Sequence, residues 1–150
     1  MIQDSTIDES TFDVASLCEA FQNTVARCGD LPALRTPGGA QEMSWTEYGM
    51  RVRRIATGLA SLGVGPGDTV GIMLVNRPEF ALVDTAALHL GAIPFSVYNT
   101  SSPEQITYLF GNAGNKVVIT EQAFLPVLTA AGTGVETFVS VDGGDGTITL

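Results

Sequence analysis

The segment Gly71 to Leu109, GIMLVNRPEFALVDTAALHLGAIPFSVYNTSSPEQITYL, alternates short apolar runs with longer ones and has turn chemistry at each junction. The run 69–75, TVGIMLV, is too short for a stable helix and shows no polar alternation, which suits a strand buried on both faces. Asn76 then reads as an N-cap and Pro78 as a first-turn proline. Residues 79–90 are apolar on most sides, as for a helix packed on a sheet, and Gly91 closes that helix. Residues 93–98, IPFSVY, read as a second strand. Thr100, Ser101 or Ser102 caps the next helix, with Pro103 in its first turn and Ile106, Leu109 and Phe110 on its apolar face. Strands over 116–120 and 136–141 flank a short helix over 122–131, and Asp142 to Gly146 is a loop. Strand and helix alternating in this way fold as right-handed βαβ crossovers. The expected class is therefore α/β, a mostly parallel Rossmann-like sheet with flanking helices.

The chain ahead of this alternation reads as a loose leader over residues 1–12, then a helix, a hairpin and a second helix. Thr11 or Asp13 caps the first helix, which runs to about Arg27 with Val14, Leu17, Phe21, Val25 and Cys28 on one face. Ala33 to Arg35 and Glu42 to Trp45 flank the turn signal Pro37-Gly38-Gly39. Thr46 caps the second helix, whose stripe is Tyr48, Val52, Ile55, Leu59 and Leu62. Arg51, Arg53 and Arg54 fall mostly off that stripe, as on a solvated face. The glycines of Gly63 to Asp68 follow a helix and open a strand. A dinucleotide fingerprint has the reverse order, so helix-stop and turn is the reading adopted.

Composition narrows the function classes. With 45% hydrophobic residues in 150, the chain can bury one real core. A net charge of −9 argues against a nucleic-acid partner, because phosphate contacts are built on Lys and Arg. Cys18 and Cys28 fall in one helix, roughly 15 Å apart at ~1.5 Å per residue, too far for a disulfide. Free thiols point to a reducing, cytoplasmic compartment. The acidic N-terminus lacks the apolar core of a signal peptide, and no apolar run reaches membrane-span length.

Holding and transferring the phosphates of a nucleoside triphosphate needs placed positive charge, most recognisably a lysine in a Gly- and Ser/Thr-rich loop. The single lysine, Lys116, opens a buried strand with no glycine loop around it. The single histidine, His89, sits late in an apolar helix with no second ligand nearby in sequence. No catalytic residue and no metal site is assigned.

Three stretches carry a resemblance: Asn76-Arg77-Pro78-Glu79-Phe80, Leu90-Gly91-Ala92-Ile93-Pro94-Phe95, and Tyr98-Asn99-Thr100-Ser101-Ser102-Pro103-Glu104-Gln105. With Met43-Ser44-Trp45-Thr46-Glu47-Tyr48 they resemble the adenylate-forming (AMP-forming) acyl-CoA synthetases, nearest the long-chain fatty-acid–CoA ligases. The resemblance runs from about Asp30 to Asp142. It implies that residues 13–150 are part of a large N-terminal AMP-binding-type domain, and that the full-length enzyme uses ATP, Mg²⁺, coenzyme A and a fatty acid. The family's phosphate loop and catalytic lysine lie further along, so this chain is expected to be inactive alone. The competing reading is a non-catalytic Rossmann-like interaction module. Ligands of open α/β sheets bind beyond the carboxyl ends of the strands. Tyr98, Asn99 and Thr100 follow a strand and precede a helix, which makes them the substrate-cleft candidates. The apolar excess of helix 79–90 and an unpaired last strand predict that the chain self-associates or needs the rest of its domain.

Overall fold

The computed structural model describes residues 13–143 and 148–149. The leader over 1–12 and the centre of the 142–146 loop lie outside them.

Three helices begin on the same local device. Helix α1 (Leu17–Cys28) starts at Ser16, whose Oγ accepts the Glu19 N–H at 3.1 Å, while the Glu19 carboxylate accepts the Ala15 N–H at 2.7 Å. Helix α2 (Trp45–Ser61) starts at Ser44, which accepts the Glu47 N–H at 3.2 Å. Helix α4 (Pro103–Ala113) has the complete capping box, Ser102 accepting from Gln105 N–H and Gln105 Oε1 accepting from Ser102 N–H. These serines thus displace Thr11, Asp13 and Thr46 as caps, because each side chain satisfies an orphan N–H donor of the first turn. Ser102→Ala should cost about 1 kcal/mol, read as a lowered urea midpoint at unchanged slope.

Helix α3 (Pro78–His89) starts differently. Its N-cap is Arg77, extended and without a side-chain cap, not Asn76. Proline occupies the first helical position and excludes the residue before it from the helical region, so the boundary is fixed at Arg77.

Strands β1 (Pro32–Arg35) and β2 (Glu42–Ser44) form an antiparallel hairpin closed by a single 3₁₀ turn at Pro37–Gly39 and an Arg35–Glu42 ion pair. The main sheet holds β3 (Thr69–Met73), β4 (Ile93–Ser96), β5 (Val117–Thr120), β6 (Thr137–Ser140) and β7 (Ile148–Thr149), in the order β4-β3-β5-β6-β7 and all parallel. No strand was expected beyond the 142–146 loop, where the two-residue β7 lies. That strand has too few residues for a periodicity signal.

The sheet is covered on both faces. Val70, Ile72, Leu74, Val117, Ile119 and Val139 pack with α3 and α2. Met73 and Val118 pack on the other side with Ile106 and Phe110 of α4 and Leu128 of α5 (Leu125–Ala130). Gly71 makes room there: a Cβ would stand 3.4 Å from the Phe110 ring and 3.2 Å from Val118. The apolar excess of α3, expected to stay uncovered, is shared between the sheet and α2. Tyr48 Oη donates to the Ala81 carbonyl at 3.1 Å and lies 2.9 Å from Thr85 Oγ1, locking α2 over α3.

Helix α1 docks outermost, through Phe21 edge-on to Trp45, Tyr48 and His89. His89 Nδ1 faces the Thr85 carbonyl at 2.7 Å and Nε2 faces the Gln22 amide nitrogen at 3.0 Å. Both ring nitrogens are thus taken up between the two helices, so His89 is a packing residue between α1 and α3. Cys18 and Cys28 are free and half-buried. Among the described residues no helix is long and apolar enough to cross a membrane.

Candidate functional site

The strand order defines where a ligand of this sheet would sit. The chain leaves β3 toward β4 on one side and returns past β3 to β5 on the other, so connections diverge at the carboxyl ends of β3 and β5. In open parallel sheets that divergence opens the binding crevice.

The loops after β3, β5 and β6 meet at this point through side chains. Val75 N–H donates to Glu121 Oε1 at 2.7 Å, and Thr120 Oγ1 donates to the Met73 carbonyl at 3.2 Å, tying the β3 and β5 ends together. Arg77 reaches across all three loops. Its Nε donates to Glu79 Oε2 at 2.8 Å, and its Nη1 donates to Asp142 Oδ1 at 2.9 Å and lies 3.6 Å from Glu121 Oε2. The side chains of Arg77, Glu79 and Glu121 are largely buried, at 24%, 24% and 13% exposure, so solvent screens them incompletely. The hydrogen bond from Arg77 holds the Glu79 carboxyl below the usual carboxylate range. The same bond, together with that to Asp142, raises the guanidinium above its ordinary value.

One cation against three carboxylates leaves this cluster two negative charges in excess, and Arg77 Nε and Nη1 are turned onto those carboxylates. Such an arrangement clips loops together and repels a triphosphate. The carboxylates, turned onto Arg77, do not form an open Mg²⁺ cradle either, and no group of three metal-ligating side chains occurs among the described residues. The residues present therefore do not fit the nucleotide or its metal. Lys116 stands one residue before β5, at the amino end of the sheet, and its side chain is exposed. The sheet's length separates it from the crevice.

Tyr98, Asn99 and Thr100 follow β4, an edge strand, at the same carboxyl edge but one strand away from the β3–β5 divergence. All three are exposed, Tyr98 at 84%. The Tyr98 carbonyl accepts the Ser101 N–H at 3.0 Å, which turns the backbone into α4. Sequence reasoning missed the Arg77–Glu79–Glu121–Asp142 cluster. Its signal was positional: each residue lies within a few positions of a strand's carboxyl end, and the rule applied to β4 alone would have found them if applied to β3, β5 and β6.

Three comparisons bear on this geometry. The family model described as AMP-binding enzyme matches residues 21–146. The uncharacterized protein Rv1549 of Mycobacterium tuberculosis is 54% identical over 85% of this chain and 73% of its own length. The medium/long-chain-fatty-acid–CoA ligase FadD6 of the same organism is 34% identical over 79% of this chain, and the match spans 19% of that ligase. Among solved structures, the inhibitor-bound N-terminal domain of FACL13 from M. tuberculosis superposes with a TM-score of 0.75 at 24% identity, over 81% of this chain and 32% of that one.

Proposed function

Because the chain belongs to the AMP-binding enzyme family, we propose that it is the N-terminal part of a fatty-acid–CoA ligase. The reaction is carboxylate plus ATP to acyl-adenylate and pyrophosphate, then transfer of the acyl group to the coenzyme A thiol with release of AMP. The observation that carries the reading is the family match over residues 21–146, joined to the sequence likeness with a medium/long-chain ligase. ATP, Mg²⁺, coenzyme A and the fatty acid belong to the full-length enzyme. Within it, this segment supplies a rigid parallel sheet and three clipped loops, and the phosphate chemistry comes from elsewhere in the domain. The two free thiols suit a reducing, cytoplasmic setting. Alone, the chain is inactive and self-associates through surfaces that the rest of the domain would cover, which light scattering at micromolar concentration reads.

Tyr98, Asn99 and Thr100 are assigned to the cleft wall on their place at the sheet's carboxyl edge and their exposure. The test is a chimera in which this chain replaces the matching segment of FadD6. It should convert palmitate to palmitoyl-CoA. Tyr98→Ala with Asn99→Ala should lower kcat/KM about tenfold with unchanged melting, since about 1.4 kcal/mol of transition-state binding is at stake. An inactive chimera that folds and binds ATP would count against the ligase reading. Unchanged kinetics in the double variant would remove the cleft role.

The Arg77 cluster favours a second reading, a non-catalytic interaction module, because it closes the crevice where a ligand would enter. Tight ATP binding by the isolated chain would remove that reading.

A further inference from the structure

Strand β4 stands at one edge of the sheet, with β3 on its inner side. The Ile93 N–H donates to the Asp68 carbonyl and the Val97 N–H to the Ile72 carbonyl, both at 2.8 Å. In a parallel pair, alternate residues turn both backbone groups to the same neighbour. Residues 93, 95 and 97 therefore face β3, and residues 94 and 96 face outward. An outward row of backbone groups is where another chain adds as a strand. The sequence around this row favours such addition. Ile93, Phe95, Val97 and Tyr98 are strand formers, and Ile93 and Tyr98 are 54% and 84% exposed. No charged side chain stands between His89 and Glu104 to repel a partner, and the register to β3 runs without a bulge to twist the edge away. The one residue of 93–98 that works against pairing is Pro94.

We propose that Pro94 closes the β4 edge against a second copy of this chain, in place of the charges that guard many edge strands. The same strand of another copy is the partner that a two-fold contact would bring, laid antiparallel. With the axis at Phe95, residue 94 of each copy faces residue 96 of the other, and an open pair of this kind exchanges two N–H to carbonyl bonds. Pro94 has no N–H, so each pair loses one of its two bonds. The proline ring also fills the space through which that N–H would reach the facing carbonyl. Ser96 is left as the one outward donor of the strand. The closure is independent of the ligase reading. It confines any association of the isolated chain to surfaces other than the β4 edge.

Hydrogen exchange read amide by amide on the full 150-residue chain, at low and at high micromolar concentration, tests the closure. In the wild-type chain the Ser96 amide should exchange equally fast at both concentrations. Pro94→Val restores the missing donor with a strand-forming side chain. It should tighten self-association, read by sedimentation, by at least about tenfold. The amides of residues 94 and 96 should then gain protection as concentration rises. Adding Ser96→Pro to Pro94→Val moves the proline to the other outward position and should return association to the wild-type level. Protection of the wild-type Ser96 amide that grows with concentration would overturn the proposal. So would a Pro94→Val chain that melts like wild type and associates no more tightly, or tighter association that Ser96→Pro leaves in place. The Ser96 measurement on the wild-type chain decides the matter by itself if Pro94→Val does not fold.

Discussion

Arg77→Ala should lower the unfolding free energy by about 2 kcal/mol at pH 7, between the small worth of exposed pairs and the several kcal/mol lost when a buried pair is broken. Arg77 is the cation paired with Glu79, Glu121 and Asp142, Arg51 acting on Glu79 only more weakly, and removing Arg77 leaves three carboxylates crowded at the ends of three strands. The loss should depend on pH with a definite sign. Arg77 depresses the folded-state pKa of Glu79, so the stability it confers is present above the unfolded carboxyl value and disappears as pH falls through the folded one. In the variant the same acidification neutralises repelling carboxylates. The gap between wild type and variant should therefore narrow steadily as pH drops below about 4. Urea unfolding at pH 7, 5 and 3 reads both effects. A gap that is absent at pH 7, or that widens on acidification, would mean that Arg77 does not clip the three loops together.

Much of the architecture was legible in the sequence because the strands are short, apolar and bounded by glycine and proline. The runs 69–75 and 116–120 announce buried parallel strands, and each is found in place, trimmed by one or two residues. Helix starts were less legible where hydroxyl residues cluster. Ser16, Ser44 and Ser102 win over their neighbours because each side chain accepts the backbone N–H three residues on, a bond that the Gln105 amide completes into a capping box at Ser102. The cover over α3 was hidden, since the sequence reading did not reveal that Tyr48 would reach Ala81 and Thr85. The polar cluster was hidden for the same reason. Arg77 and Asp142 are 65 residues apart in the chain and meet only because β3, β5 and β6 are neighbours in the sheet. Tyr98, Asn99 and Thr100 were legible as a strand-end segment, and all three are exposed there.

The central claim is that this chain carries the scaffold of an adenylate-forming domain without its phosphate chemistry. Its single lysine stands at the amino end of the sheet, and its crevice arginine is committed to three carboxylates. Losing positioned charge stabilisation for the transferring group costs many orders of magnitude in rate, so the expected activity of the chain alone is none, not merely reduced. The direct measurement is pyrophosphate release by the purified 150-residue chain with ATP, Mg²⁺ and palmitate, beside the FadD6 chimera under the same conditions. The account predicts release from the chimera and none above the protein-free background from the chain alone. Palmitate-dependent release from the chain alone that persists through repurification would contradict it.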